Sequence, residues 1–326
     1  MNSVAPFYAL SPETVLDALE AVGYRCDGRI LALNSYENRV YQIGLEERDP
    51  VVAKFYRPNR WGDAAIGEEH GFALELAAQE IPVVAPLAVE GVTLHVHQGF
   101  RYAVFPRRGG HWPELGTAEE REWVGRFLGR IHAVGRVRPF LERTRLSVET
   151  LGVESRQFVL ESDFLPSYLA QKYADVTAEL IGEIEARIGD WGWVRRGRIL
   201  GDCHRGNILW TDAGPHFVDL DDCLTGPAVQ DLWMLLAGDG REMGLQLRDL
   251  LKGYEQFASF DRAEILLIEP LRALRMIHYA AWLARRWDDP AFPRAFPWFA
   301  GARYWEEHQR ALEEQLESVR NPPLEM

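Results

Sequence analysis

The sequence predicts an α+β fold in two lobes, with a β-rich first third and a helix-rich remainder. Short segments with strand-like patterns are concentrated before residue 106, whereas long amphipathic helical patterns dominate after it. The segment RRGG at 107–110 marks this change of character and is the favoured boundary. We therefore expect a strand-rich lobe over residues 1–106 and a helical lobe over 107–326, with a cleft between them.

The first lobe is expected to contain two helices and several strands. The opening helix follows Ser11, a favourable N-cap, has Pro12 in its first turn and ends at Gly23. Strands are predicted in RILALNSYENRVYQIG and in PVVAKFY. A helix is expected over 64–79, and LAVEGVTLHVHQGFRYAVFP is expected to form strands broken at its two glycine turns.

The second lobe is predicted to be built from long amphipathic helices. Their patterns lie in TAEEREWVGRFLGRIHAVG, SYLAQKYADVTAELIGEIEARI, AVQDLWMLLAG and EMGLQLRDLLKGYEQFA, and two more helices are expected after residue 262. Two short strand-like segments, GRILG and ILWTDAGPHFVDL, interrupt them. The late tryptophans are expected to pack this lobe or, alternatively, to line the acceptor side of the cleft; they are Trp282, Trp287, Trp298 and Trp305.

Composition argues against several functional classes. The chain has 36 Lys and Arg against 49 Asp and Glu, a net charge of −13, which disfavours nucleic acid and anionic membranes as partners. The three cysteines are far apart and form no CxxC pair, so neither a zinc site nor a disulfide framework is indicated. No signal-peptide pattern or membrane-spanning apolar stretch is recognisable. We expect a cytoplasmic monomer that binds neither nucleic acid nor membranes.

The segment LGDCHRGNILW, at 200–210, places charged and polar residues between two apolar runs. Such groups are costly to desolvate unless they are paired or bind a ligand. Asn207 follows Asp202 by five residues, and a strand-like segment then leads to Asp219 in FVDLDD. Phosphoryl transfer needs an aspartate that accepts a hydroxyl proton, and an amide and a second aspartate that hold metal. These three residues have the order and spacing of a kinase-type catalytic loop with Mg²⁺ ligands; a capped, solvated turn is the alternative.

Lys54 lies within the apolar strand PVVAKFY, where a lysine must reach solvent or find a partner. A strand lysine that contacts the α- and β-phosphates and pairs with a helix glutamate explains this position. The next helix offers Glu68 and Glu69, of which we favour Glu69; an ordinary edge-strand lysine is the alternative. The turn containing Ser35 lies where kinases place a phosphate-covering loop, although it is not rich in glycine.

Together these segments resemble the aminoglycoside phosphotransferase and choline kinase branch of the protein-kinase-like fold, whose signature is HGDxxxxN followed by an aspartate. More narrowly, NSYENRVYQ, VAKFYRPNRW, GDCHRGNILW, FVDLDD and GPAVQDLWMLL resemble the bacterial stress response kinase A group, described as serine/threonine protein kinases. The resemblance extends from about residue 10 to about residue 323. It implies a bilobal kinase-like fold, with a nucleotide-binding lobe over 1–106 and a catalytic and substrate lobe over 107–326. ATP and Mg²⁺ are the implied co-substrate and cofactor, and the implied acceptor is a protein Ser/Thr hydroxyl.

The resemblance also implies roles for individual residues. Asp202 is the expected catalytic base, and Asn207 and Asp219 are the expected Mg²⁺ ligands, with Asp219 also counted as catalytic. The expected nucleotide-binding residues are Ser35, Lys54, Glu69, Phe105 and Arg107. Asp231 resembles an aspartate that braces the catalytic loop, although a carboxylate favoured at a helix N-terminus explains it equally well. Leu200 replaces the histidine that usually precedes Gly-Asp, which leaves the geometry of the loop open.

Three functions are compatible with this apparatus. The first, favoured by the narrower resemblance, is an ATP- and Mg²⁺-dependent protein serine/threonine kinase. The second is a small-molecule kinase acting on an amino alcohol, a sugar or an aminoglycoside, which an acidic acceptor site would favour. The third is an ATP-binding pseudokinase scaffold, supported only by Leu200.

Overall fold

The computed structural model describes residues 7–189, 192–322 and 324. The chain divides into two compact units. Unit 1 comprises Met1–Glu114, Phe140–Arg143 and His204–Cys223; unit 2 comprises Leu115–Pro139, Thr144–Cys203 and Leu224–Met326.

The regular elements confirm the predicted α+β class. The strands are β1 (Cys26–Ala32), β2 (Arg39–Leu45), β3 (Arg48–Phe55), β4 (His95–His97), β5 (Phe100–Pro106), β6 (Arg196–Ile199), β7 (Ile208–Thr211), β8 (Gly214–Phe217) and β9 (Leu224–Pro227). The α-helices are α1 (Pro12–Glu20), α2 (Asp63–Ala78), α3 (Ala118–Gly135), α4 (Glu154–Glu161), α5 (Ala170–Ile188), α6 (Val229–Trp233), α7 (Gly240–Tyr254), α8 (Ile268–Arg285), α9 (Ala291–Ala295) and α10 (Ala302–Arg320). None of the helices in the described ranges has both the length and the apolar character needed to cross a bilayer.

Unit 1 contains an antiparallel five-stranded sheet in the order β1-β2-β3-β5-β4. One face of β3 enters the core, where Ala53 and Phe55 are fully buried and Phe55 stacks on Tyr102 of β5 at 5.1 Å between ring centroids. Because side chains alternate along a strand, Lys54 points to the opposite face together with Val52. The core packing of β3 thereby fixes the direction of the Lys54 side chain.

A second, two-stranded sheet in unit 1 is the β7–β8 hairpin. It is joined to the rest of the unit by isolated bridges from Phe217 to Val83 and from Trp210 to His111. The Val84 N–H also donates to the Phe217 carbonyl at 3.0 Å. These contacts anchor the hairpin within unit 1. The hairpin begins directly after Asn207 and ends two residues before Asp219.

In unit 2, α3 and α7 pack closely because glycines line their contact. A Cβ on Gly125 would meet the Leu250 carbonyl oxygen at 2.0 Å, and one on Gly129 would meet that of Tyr254 at 2.4 Å. Both helices begin with a capping box, formed by Thr117 with Glu120 and by Asp239 with Glu242. The close approach brings the middle of α3 against the last two turns of α7.

Several predicted elements are wrong in extent or number. The segment before β4 forms only an isolated Val89–Val92 bridge at a turn, rather than a strand. AVQDLWMLLAG is helical only over α6, because the chain then turns towards Gly238, which has a φ of +98°. After residue 262, three helices follow a 3-10 segment instead of two helices, since prolines at 290 and 297 interrupt the pattern. Helix α4 and strand β9, which pairs with β6, were not predicted.

Candidate active site

Lys54 is surrounded by carboxylates within unit 1. Its Nζ atom donates to Glu69 Oε1 of α2 at 3.1 Å and to Asp219 Oδ1 at 3.0 Å, and lies 3.3 Å from Asp221 Oδ1. The lysine and two of the three acids are buried, whereas the Asp219 side chain is 48% exposed. An ammonium in this position is held by charge rather than by water.

The charges in this group determine one another's protonation. Burial by itself would lower the pKa of Lys54, but the carboxylates of Asp219, Asp221 and Glu69 outweigh it and raise that pKa well above its ordinary value. Burial also opposes ionisation of Asp221, yet the neighbouring cations lower its pKa well below the usual range. Lys54 and Asp221 are therefore both charged at neutral pH.

Arg143 connects the Glu69 carboxylate to the backbone of Asp221. Its Nη2 donates to Glu69 Oε2 at 3.0 Å, and its Nη1 donates to the Asp221 backbone carbonyl at 2.7 Å. We call Lys54, Glu69, Arg143 and Asp221 the buried ion cluster; Arg60 also pairs with Asp221 at its edge. Neither Arg143 nor Asp221 is among the predicted site residues, although the run of aspartates in FVDLDD was a signal for the latter.

The loop from 33 to 38, which joins β1 to β2 and is called here the β1–β2 loop, is held by polar contacts instead of glycines. Asn38 donates from Nδ2 to Asp221 Oδ2 at 3.0 Å and accepts the Arg57 N–H at 3.0 Å. The Arg57 guanidinium donates to the carbonyls of Glu37 and Tyr36 at 2.8 and 3.1 Å. Ser35 Oγ donates to the Asn38 carbonyl at 3.2 Å. The loop is thereby tied to the buried ion cluster.

A cavity in unit 1 brings most of the predicted site residues together. It is lined by Leu33, Asn34, Ser35, Val40, Val52, Lys54, Glu69, His70, Ala73, Val84, Phe105, Pro106, Arg108, Gly206, Asn207, Leu209, Val218, Asp219 and Leu220. Six of the eight predicted site residues are in this lining. Arg107 is not, although its neighbour Arg108 is, and Asp202, which belongs to unit 2, is not in the lining either. One end of the cavity is apolar, with Val40, Val84, Phe105 and Leu209, and the other is polar, with Lys54, Asn207 and Asp219.

The backbone at Asp219 is strained. The residue has φ 56° and ψ 70°, a left-handed conformation that costs a non-glycine residue about 1 kcal/mol. Asn207 ends a 3-10 turn, and its carbonyl accepts the N–H of Val218, the residue before Asp219, at 3.0 Å. Unusual backbone geometry of this kind is concentrated at functional sites, and here it aims a partly exposed carboxylate into the cavity.

The donor set of Asn207 and Asp219 fits a magnesium ion. Both supply hard oxygen ligands, and the Asp219 carboxylate remains 48% exposed next to the Lys54 ammonium. Among the described residues, no group of three or more His, Cys, Asp or Glu side chains is placed to hold a metal. Mg²⁺ in phosphoryl-transfer sites takes only one or two protein carboxylates, and the phosphates supply the rest. The residues present are therefore those such a site requires.

In unit 2, Asp231 of α6 holds the segment that precedes Asp202. Its fully buried carboxylate accepts the N–H groups of Leu200 at 2.7 Å and Gly201 at 2.8 Å, and it lies 2.9 Å from His132 Nε2. Gln230 Nε2 donates to the Gly201 carbonyl at 2.8 Å. These contacts favour the bracing interpretation of Asp231 over a simple helix-terminal carboxylate. The hydrogen bond at position 200 comes from the backbone, so the leucine side chain needs only to pack, which it does.

Asp202 belongs to unit 2, whereas Asn207 and Asp219 belong to unit 1. Asp202 Oδ1 forms an ion pair with Arg275 Nη1 of α8 at 2.8 Å. The neighbouring Cys203 is buried, and burial, reinforced by Asp231 and Asp202, raises the pKa of its thiol well above the ordinary value. Cys203 is thus a packed, protonated thiol.

Comparison with known proteins identifies the family. The profile described as the phosphotransferase enzyme family (APH) matches residues 29–268. The chain belongs to this phosphotransferase enzyme family. Stress response kinase A of Escherichia coli (strain K12) is 48% identical over 325 residues, which cover 100% of this chain and 98% of that protein. A Salmonella typhimurium protein named serine/threonine protein kinase RdoA is also 48% identical, over 98% of this chain and 97% of its own.

The phosphotransferase fold is confirmed by solved structures. Amicoumacin kinase hAmiN, in complex with AMP-PNP, Ca²⁺ and Ami, superposes with a TM-score of 0.75 at 19% identity and covers 97% of this chain. That alignment also covers 96% of the hAmiN chain. A microcompartment-associated aminopropanol kinase gives a TM-score of 0.72 at 16% identity, over 95% of this chain and 98% of its own. The predicted kinase-like fold and the predicted kinase class of this phosphotransferase are thus both confirmed.

Proposed function

We propose that this phosphotransferase moves the γ-phosphoryl group of ATP to a Ser/Thr hydroxyl of a protein substrate. The observation that carries the proposal is the position of Lys54, which meets Glu69 and Asp219 in one cavity that Ser35 and Asn207 also line. ATP and Mg²⁺ are the co-substrate and cofactor of a kinase of this family. The full-length relative named a serine/threonine protein kinase supports a protein acceptor.

The polar end of the cavity suits the triphosphate. Lys54, kept charged by its three carboxylates, is placed to contact the α- and β-phosphates, and Ser35 in the β1–β2 loop to contact a phosphate oxygen. Asn207 and Asp219 would hold Mg²⁺, which supplies charge neutralisation on the phosphates. The apolar end, where Phe105 and Pro106 leave β5, suits adenine, and backbone groups near Arg107 are the proposed hydrogen-bond partners.

The proposed chemistry assigns the proton to Asp202. The acceptor hydroxyl loses its proton to the Asp202 carboxylate while its oxygen bonds to the γ-phosphorus, and the bond to the β-phosphate oxygen breaks to release ADP. Asp231 and His132 act through the backbone at 200 and 201, which they hold in place for Asp202. Leu200, the feature that supported a pseudokinase, is accommodated by this arrangement.

Label transfer from γ-labelled ATP tests the proposal. The chain is incubated with Mg²⁺ and labelled ATP, first alone, then with a general protein substrate, and then with a panel of small alcohols. We expect label on protein, abolished in Asp202→Asn and retained in Asp212→Asn, the same change at an exposed turn residue between β7 and β8. Transfer only to a small alcohol would show a small-molecule kinase, and nucleotide binding without transfer would show a pseudokinase.

A further inference from the structure

The expected catalytic base carries an arginine as its partner. Arg275 Nη1 lies 2.8 Å from Asp202 Oδ1, and the side chains are 41% and 22% exposed. A guanidinium has five N–H donors in a planar fork. Among the described residues, the ion pair with Asp202 is the single polar contact found for Arg275, so donors remain on a partly exposed cation beside the group that receives the acceptor hydroxyl.

The charge beside the base discriminates between acceptor classes. A cationic acceptor, such as an amino sugar or an amino alcohol, would bring a like charge towards the exposed guanidinium, which is unfavourable at short range. A carboxylate next to the acceptor hydroxyl would instead form charge-assisted, bidentate hydrogen bonds with it. Arg275 and Asp202 both belong to unit 2, and the residues of the nucleotide cavity have no part in this charge preference.

The same face of α8 continues as an aromatic surface. Arg275, Tyr279 and Trp282 are spaced by four and three residues, so they lie on one side of the helix. Tyr279 is 36% exposed and stacks on Trp282 with a centroid distance of 5.7 Å and an interplanar angle of 24°. The exposed Tyr279 ring is thus supported by a half-buried Trp282, which packs in turn against Phe292 and Phe296. Exposed aromatic surface next to an arginine is typical of peptide-binding sites.

We propose that Arg275 is a specificity-determining residue that selects acceptor peptides with an acidic residue beside the phosphorylated serine or threonine. The inference rests on the proposed function and names the acceptor class for the same reaction. Arg275 reads the flanking carboxylate through its remaining donors while its ion pair orients Asp202. The aromatic pair Tyr279 and Trp282 packs against the peptide.

A matched peptide set tests this assignment. All peptides contain the same single serine. At one position, between three residues before and three residues after that serine, they carry Glu, Gln or Lys, and they are otherwise identical. For the unmodified chain we expect kcat/KM to be about tenfold higher for the best Glu peptide than for its Gln partner, with the Lys partner lowest. In Arg275→Gln the Glu, Gln and Lys peptides should agree within about threefold. Arg275→Lys, which keeps the charge but not the fork, should retain part of the preference.

Two controls separate the possible causes. Arg303→Gln makes the same charge change at a surface arginine of α10, where the side chain is 89% exposed and paired with Glu307, and should leave the preference unchanged. ATP-dependent thermal stabilisation of Arg275→Gln shows that the variant is folded and binds nucleotide.

The outcomes are distinct. If Arg275→Gln lowers kcat for all peptides by the same factor, Arg275 only positions Asp202, and the specificity assignment is wrong. Equal use of Glu and Gln peptides by the unmodified chain overturns the inference but leaves the protein kinase proposal intact. Transfer to small alcohols and to no peptide would instead remove the proposed function itself.

Discussion

At the scale of single residues, Asp221 joins three parts of the candidate site. Its carboxylate lies 3.3 Å from Lys54 Nζ and accepts from Asn38 of the β1–β2 loop at 3.0 Å, and its backbone carbonyl accepts from Arg143. Asp221 lies two residues after Asp219, the expected metal ligand. A single buried carboxylate therefore couples the position of the lysine to the position of the loop.

Replacing Asp221 by Asn removes that charge and leaves the buried cations undercompensated. We expect unfolding free energy to fall by about 3 kcal/mol and KM for ATP to rise several-fold, because breaking a buried pair is strongly destabilising. Denaturant unfolding and steady-state kinetics measure the two effects. Asp222→Asn is the control: Asp222 pairs with Arg60 but its side chain is 47% exposed, so the loss should be about 0.5 kcal/mol. Equal effects of the two changes would contradict a special role for Asp221.

Site residues could be predicted when a short stretch of sequence marks them, and could not when they depend on partners far away in the chain. Asp202 and Asn207 are five residues apart in one motif, and Lys54 was conspicuous as a cation in an apolar strand. Asn38 and Arg143, by contrast, reach their partners across 183 and 74 residues of chain. No periodic or turn pattern encodes such a pairing, because it exists only after β3, α2 and the segment after β8 have come together.

At the scale of elements, α6 is held at its N-terminus by a buried glutamate. Glu264 Oε2 accepts the Val229 N–H at 3.0 Å, and Asp231 in the same helix holds the segment before Asp202. Burial raises the pKa of Glu264 to about 7, although the Val229 hydrogen bond lowers it in part. In the folded chain the carboxyl that caps α6 is therefore mostly neutral only below about pH 7.

The raised pKa of Glu264 should make the free energy of unfolding depend on pH. Because its pKa rises from 4.5 to about 7 on folding, its contribution is fully present below pH 4.5 and is lost as pH rises through about 7. We expect the stability of the unmodified chain, relative to Glu264→Gln, to fall by about 2 kcal/mol between pH 5 and 7 and to stay flat above pH 8. Denaturant titrations at several pH values measure this, and a pH-independent difference would refute it.

Two glycine-to-alanine substitutions, one at the α3–α7 contact and one in α5, should have opposite effects on the free energy of unfolding. Gly125→Ala places a Cβ at 2.0 Å from a backbone carbonyl, so the helices must separate, at a cost of about 3 kcal/mol. Gly182→Ala in α5 meets nothing within 4 Å and should stabilise the chain by about 0.5 kcal/mol, because alanine favours helix. Thermal and denaturant unfolding distinguish them, and a neutral Gly125→Ala would show that the helices do not pack this closely in solution.

Long elements were predictable because their patterns repeat, and short ones were not. Helices α3 and α5, of 18 and 19 residues, show several turns of apolar periodicity. Helix α9 has five residues, fewer than two turns, so no period can be read from it, and α6, equally short, was predicted but with too great a length. Strand β9, LTGP, contains residues that are depleted in strands and forms because β6 offers it a partner.

At the scale of the whole molecule, binding of ATP with Mg²⁺ should stabilise the folded chain. The size of this stabilisation should distinguish Asp202, the expected base, from Asp219, the expected metal ligand. ATP with Mg²⁺ at 100 times Kd should add about 2.7 kcal/mol. Asp202→Asn, in unit 2, should keep this stabilisation. Asp219→Asn should lose its Mg²⁺-dependent part, which is the part that a metal chelator removes from the unmodified chain. Thermal shift assays with ATP, with and without Mg²⁺, measure it. Equal losses in both variants would contradict the division of roles.

The polar β1–β2 loop has a consequence for turnover. A glycine-rich flap samples many conformations and must be ordered again each time nucleotide binds. Here Arg57 and Asn38 already hold the loop carbonyls and side chains, so the loss of loop entropy occurs once, when the polypeptide folds. We therefore expect nucleotide to bind to a preformed loop surface, so that each catalytic cycle proceeds without opening and closing of the loop.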